Sequence, residues 1–217
     1  MPKSKVKYKA ANPKSNIQIN MTSREKILAD VRKNQPPISG LPDMQVWESK
    51  GLAKTDVLET FKMVAGNVGG KVIEVKDLAE IKSHLNITPG TRVLTTISAL
   101  FDVADNAADY QDATPHELEN VELAILPAEF AVAENSALWV TETQMGTRVL
   151  PFICQHLALV VSAATIVPDM HTAYLRTQNT DHGFAAFVAG PSKTADIEQS
   201  LVLGAHGPRS LIIFLLP

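Results

Sequence analysis

The run FAAFVAGPSKTADIEQSLVLGAHGPR, Phe184 to Arg209, decides how this chain is read: an apolar stretch meets a Gly-Pro-Ser turn and then a polar segment of helical period. Residues 184–189 have the make-up of a buried strand, and Gly190-Pro191 stop it. Ser192 or Thr194 can cap a helix that carries Ile197 and Leu201 on one face. A helix start exposes backbone N–H groups, to which these two residues add hydroxyls. The run closes on Gly204 to Arg209, setting the His206 imidazole and the Arg209 guanidinium just before another apolar strand at 211–216. This combination suits a small carboxylate or phosphate. Asp196 and Glu198 complement the helix dipole themselves and compete with a free anion. The same residues therefore also allow a structural lock, in which Asp196 caps N–H groups and Arg209 pairs with it.

Upstream, strands and helices alternate. Thr22-Ser23-Arg24-Glu25 is a capping box, and Ile27, Leu28 and Val31 follow at helical spacing, so a helix is expected over 22–34, stopping before Pro36-Pro37. A connector over 35–42 leads to a second helix over 54–68, with Val57, Leu58, Phe61, Val64 and Ala65 on one face and Gly69-Gly70 at its end. A strand at 71–75, a helix at 77–85 and a strand at 92–97 continue the pattern. Further strands are expected at 121–126, 138–141 and 157–162, the last a continuous apolar run suited to cover on both faces, and Pro168 opens another helix. The segment 140–148 reads as a hairpin connection with Gly146 at its turn, Glu142 solvated and Arg148 exposed. The expectation is an α/β fold with a doubly wound, mostly parallel sheet and N-terminal helices. Residues 1–20, with Lys3, Lys5, Lys7 and Lys9, read as a basic tail, and residues 21–217 as a single domain.

The motif Gly-Pro-Ser-x-Thr-Ala-Asp-Ile-Glu at 190–198, followed by His206-Gly207-Pro208-Arg209, resembles the C-terminal signature of the lactate-utilisation (LUD) domain family, in particular its lactate-utilisation protein C branch. The resemblance is strongest from about Glu129 onward. It implies a fold like the NagB/RpiA/CoA-transferase superfamily and a role in oxidising L-lactate to pyruvate within a multi-protein iron–sulfur assembly. Where LUD domains usually read Glu-Thr-Gly-Thr, this chain reads Glu134-Asn135-Ser136-Ala137. Glu134 matches, and the three departures put the usual roles of the threonines and glycine in doubt. Glu134-Asn135 also echoes the Ser-Glu-Asn-Gly signature of class I CoA transferases, with Ala133 and Ser136 in place of the flanking serine and glycine. A glutamate at a strand edge among apolar neighbours can act as base or nucleophile; it can equally accept loop N–H bonds. His156 matches a histidine that recurs in the family, and a histidine opening a strand suits hydrogen bonding at the core edge. The implied site comprises Glu134 as catalytic candidate with Asn135, Gly190, Ser192, Thr194, Asp196, His206 and Arg209 around a small ligand.

Composition bounds what else is possible. A net charge of −3 over 217 residues gives no general attraction to nucleic acid or to an anionic membrane surface, and no apolar run reaches the length of a membrane span. The expected location is the cytoplasm. A lone Cys154 cannot form an intramolecular disulfide or supply the thiolates of an iron–sulfur cluster, so any such clusters are expected on partner subunits and no cofactor on this chain. The acidic stretch 101–120 matches no calcium-loop spacing, and His116, His171 and His182 lack partners at zinc spacing, so no metal site is expected. Two rivals remain open: an autonomous CoA-transferase-like or sugar-isomerase-like enzyme using Glu134, and a non-catalytic regulatory domain.

Overall fold

The structure is a computed structural model that describes residues 22–37, 54–178, 182–194, 202–204 and 206–217. The chain falls into two compact units, residues 1–43 and 44–217. The first contains helix α1, Ser23–Lys33, opened by the expected capping box: the Glu25 N–H donates to Thr22 Oγ1 at 3.3 Å and the Thr22 N–H to Glu25 Oε2 at 2.7 Å. This helix belongs to the first unit, and the elements described next belong to the second. The basic tail lies outside the described residues.

The second unit begins with α2 (Lys54–Asn67), followed by β1 (Lys71–Glu74), α3 (Leu78–Ile81), β2 (Val93–Thr95), β3 (Asp105–Asn106), β4 (Leu123–Pro127), β5 (Phe130–Val132), β6 (Leu138–Thr141), α4 (Glu142–Met145) and α5 (Leu150–Ile153). It continues with β7 (His156–Ser162), β8 (Ile166–Val167), α6 (Met170–Thr177), β9 (Ala185–Val188), β10 (Lys193–Thr194), β11 (Val202–Leu203) and β12 (Ser210–Leu216). Six strands form a sheet in the order β1-β12-β7-β4-β2-β3, every neighbouring pair parallel.

Alternation along β12 builds two cores from one strand. Leu211, Ile213 and Leu215 join the cluster with Val57, Phe61 and Ala65 of α2, while Ile212, Phe214 and Leu216 join that of Ile81 and Leu78 of α3. The sheet is therefore wound on both faces, as near-continuous apolar strands of a parallel sheet demand. On the α2 face sits a second sheet of order β8-β5-β6-β9, in which β5–β6 and β6–β9 are antiparallel. Ala131, Leu138 and Val140 of that sheet join the α2-side core, and Phe130, Val132 and Ala137 pack on its other face with Ala173 of α6.

Two local expectations change. Residues 140–148 do not form a hairpin: β6 already has β5 and β9 as partners, and the Thr141 N–H donates to Gln144 Oε1 at 2.8 Å, which opens helical turn α4 instead. Ser192 and Thr194 do not start a helix, because Thr194 lies in β10, paired antiparallel with Val202 of β11. Residues 195–201, which include Asp196, lie outside the described residues.

Candidate functional site

Glu134 sits in the turn between β5 and β6. The turn is tied to the end of β8: the Ala133 N–H donates to the Val167 carbonyl at 2.8 Å and the Glu134 N–H to that of Pro168 at 3.1 Å. The Glu134 carboxylate accepts the Met170 N–H at 2.9 Å, at the first turn of α6, where Asp169 accepts the Thr172 N–H at 2.8 Å. Two carboxylates thus complement one helix start. Of the two roles open to Glu134, the geometry displays the N–H acceptor. Asn135 Oδ1 accepts the Ala137 N–H at 3.0 Å and tightens the turn. Ser136 is the only non-glycine residue among those described with positive φ, 57°; it is buried, and its hydroxyl has no hydrogen-bond partner among the described residues. The Glu-Thr-Gly-Thr pattern that this turn resembles has glycine at this position, the residue that takes the left-handed conformation without steric cost.

The Gly-Pro-Ser and His-Gly-Pro-Arg motifs are brought together by backbone. The Ser192 N–H donates to the Pro208 carbonyl at 2.8 Å, and the Gly204 N–H to the Ser192 carbonyl at 3.0 Å. Gly207 lies so close that a Cβ there would stand 3.1 Å from Ser192 Cβ. Gly190 has φ +70°, and a Cβ on it would meet the Val68 carbonyl oxygen at 2.8 Å, so the turn leaving β9 is pressed against the end of α2. Thr194 contributes its backbone to the β10–β11 pair. His206 and Arg209 are exposed, and the Arg209 N–H is fixed to the Gln155 carbonyl at 2.8 Å. Since Leu138 pairs with Val188, Gly190 leaves β9 at the end of the small sheet that carries the Glu134 turn, with β6 between them.

Several residues outside this constellation are engaged differently from expectation. Glu142 is ion-paired rather than simply solvated: it accepts Arg148 Nε at 2.8 Å and the Gly183 N–H at 2.7 Å. The Arg148 guanidinium and the Gly183 N–H hold its carboxyl below the usual range. His156 bonds through Nδ1 to Ser210 Oγ at 2.7 Å, the core-edge role expected of it. Cys154 is buried, and burial pushes its thiol up to about 12. Among the described residues no group of three or more His, Cys, Asp or Glu side chains could hold a metal ion, and no helix is long and apolar enough to cross a membrane.

Comparison with known proteins gives these features a family. Lactate utilization protein C of an Exiguobacterium species is 25% identical over 178 residues, 73% of this chain and 77% of its own length. The Bacillus pumilus protein of that name is 24% identical over 198 residues, 78% and 82% of the two chains. The crystal structure of a DUF162 family protein from Deinococcus radiodurans superposes with a TM-score of 0.52 at 16% identity, covering 76% of this chain and 99% of that one, which shows a shared fold. The LUD domain model matches residues 91–216, from the approach to β2 through β12, and the chain belongs to the LUD domain family.

Proposed function

We propose that this chain is a cytoplasmic accessory protein of L-lactate oxidation to pyruvate, acting with partner subunits that carry the iron–sulfur clusters. The observation that carries this reading is the LUD match together with relatives named for lactate utilization that span about three quarters of the chain. The single cysteine supports it from the chemical side. One thiol, buried and raised to about 12, is a poor ligand, which agrees with a reading in which other chains carry the clusters. In this reading the surface where Gly190 to Ser192 meets Gly204 to Arg209 binds a small carboxylate or docks beside a partner's redox centre, with His206 and Arg209 as its exposed polar groups. Glu134 serves as a positioning group for α6, and its carboxylate's bond to the Met170 N–H weighs against an autonomous enzyme that uses it as nucleophile.

The test is affinity purification of the tagged protein from its native host grown on lactate, with iron analysis and lactate-dependent dye reduction on the eluate. Co-eluting iron-bearing subunits that reduce dye with lactate are expected. A lone, iron-free protein would overturn the accessory reading.

A further inference from the structure

The N-terminal edge of the parallel sheet holds a row of polar side chains next to the His-Gly-Pro-Arg motif, which ends one residue before Ser210. Arg92 precedes β2, Glu122 precedes β4, His156 opens β7 and Ser210 opens β12. These are four adjacent strands: the Glu122 N–H donates to the Arg92 carbonyl at 3.0 Å and the His156 N–H to the Glu122 carbonyl at 2.8 Å, while in register His156 pairs with Ser210 on one side and with Leu123 on the other, so that Arg92 and Glu122 sit one position earlier on their strands. At the usual strand spacing the row spans about 14 Å. It opens into a cavity of about 710 Å³ on the α3 side of the sheet, walled by the loop 84–91 and floored by Leu123 and Ile212. Ligand sites typically enclose about 300–1,000 Å³, apolar at the floor with a few convergent polar groups.

Each polar group in the row is held by neighbours that leave it chemical capacity. The Arg92 guanidinium bonds the Glu117 carbonyl and the Asn120 carboxamide and lies 4.9 Å from the Tyr110 ring centroid. These hydrogen-bond partners are neutral, while the Glu117 carboxylate, held by the Thr114 N–H and hydroxyl at 2.8 Å each, lies close enough to interact electrostatically with Arg92. Arg92 lines one end of the cavity, with its guanidinium fixed by these contacts. Further along, His156 bridges Ser210, at 2.7 Å, and the Glu122 carboxylate, 3.5 Å from Nε2, while the Glu122 side chain is still half exposed. That set offers both donors and acceptors, the requirement for recognising hydroxyl groups.

We propose that this cavity is a small-molecule site for a hydroxylated monocarboxylate, its carboxylate on Arg92, its hydroxyls on Glu122, His156 and Ser210, and its carbon skeleton on Leu123 and Ile212. One guanidinium with a glutamate beside it favours a single negative charge over a phosphate dianion. The site is built from other residues than the motif surface, and it lies at the opposite edge from the C-terminal strand ends where parallel sheets usually bind ligands.

The experiment titrates the full chain with D-gluconate and with L-lactate, following heat of binding and the melting temperature. Saturable binding of gluconate is expected, weakened at least about tenfold in Arg92→Gln and severalfold in His156→Gln and Glu122→Gln, and unchanged in Arg209→Ala. If Arg92→Gln fails to fold, Glu122→Gln and His156→Gln decide. No saturable binding of either acid, or wild-type affinity in those variants, would overturn the site. Binding lost in Arg209→Ala alone would place the ligand on the motif surface, which overturns this proposal and leaves the functional reading standing.

Discussion

Two glutamates show how differently the same side chain is used at two places in the α/β unit. Glu134, in the family's own motif, has its carboxylate taken by the Met170 N–H at the head of α6. Glu122, in no motif, stands 3.5 Å from His156 Nε2 beside a cavity of about 710 Å³. A motif marks a place where backbone must be arranged in one way; whether its polar group is left over for chemistry depends on what the arrangement consumes. Around Glu134 and the Gly-Pro-Ser turn, the bonds that define the motif are mostly backbone bonds. Along the sheet edge the backbone is satisfied by the ladder, and the side chains are what remain.

The largest effect that can test this contrast is Gly190→Ala. It forces a Cβ into a left-handed backbone and to 2.8 Å from a main-chain oxygen, which cannot rotate away. A loss of about 3 kcal/mol is expected in urea unfolding. A loss under about 1 kcal/mol would mean that the turn is free to relax and that the motif is not a backbone device.

Next in size is the glutamate pair. Glu134→Ala removes a cap from α6 and is expected to cost about 1 kcal/mol, whereas Glu122→Ala is expected to fall within about 0.5 kcal/mol of wild type. The reverse order would invert the comparison, leaving Glu134 free for chemistry and Glu122 as a structural tie.

How much of this was legible in the chain follows from the range of the interactions involved. The parallel sheet could be read because each of its long strands is an apolar run between breakers, as at 157–162 and 211–216. The small mixed sheet was only half visible: β6 and β9 were expected, but Phe130–Val132 is three residues long and is specified by its partners Trp139 and Ile166 rather than by its own pattern. The polar start at Ser192 has helix-capping chemistry, yet the pairing of Thr194 with Val202 prevails, a contact across eight positions that local propensity does not contain. Of the candidate site, the nearness of the two motifs was legible as family pattern. The edge row was not, because Arg92, Glu122, His156 and Ser210 are separated by 30 residues or more at each step and only the strand order makes them neighbours.

A smaller effect of opposite sign is expected at Ser136. Its φ of 57° is costly for a residue with a Cβ, and its buried hydroxyl has no partner among the described residues. Ser136→Gly relieves both and is expected to stabilise the fold by about 1 kcal/mol, net of the added freedom of the unfolded chain. Destabilisation in the same unfolding assay would show that the hydroxyl holds something in place, and would restore this turn as a chemical site.

The smallest effect is a pH dependence at Glu142, the third glutamate, which lies between the two extremes. Its carboxyl is held below the usual range by the Arg148 guanidinium, and by the Gly183 N–H that ties α4 to the approach to β9. A depressed carboxylate contributes stability that is fully present above its unfolded pKa and is lost as pH falls through its lower folded value. Arg148→Ala should therefore lower the melting temperature slightly at neutral pH, and the difference from wild type should vanish in acid once Glu142 is protonated in both chains. Because the pair is exposed, salt should shrink the neutral-pH difference as well. A difference that persists in acid would mean that Arg148 acts through packing on the Phe184 ring, 5.9 Å from its guanidinium, rather than through the charge of Glu142.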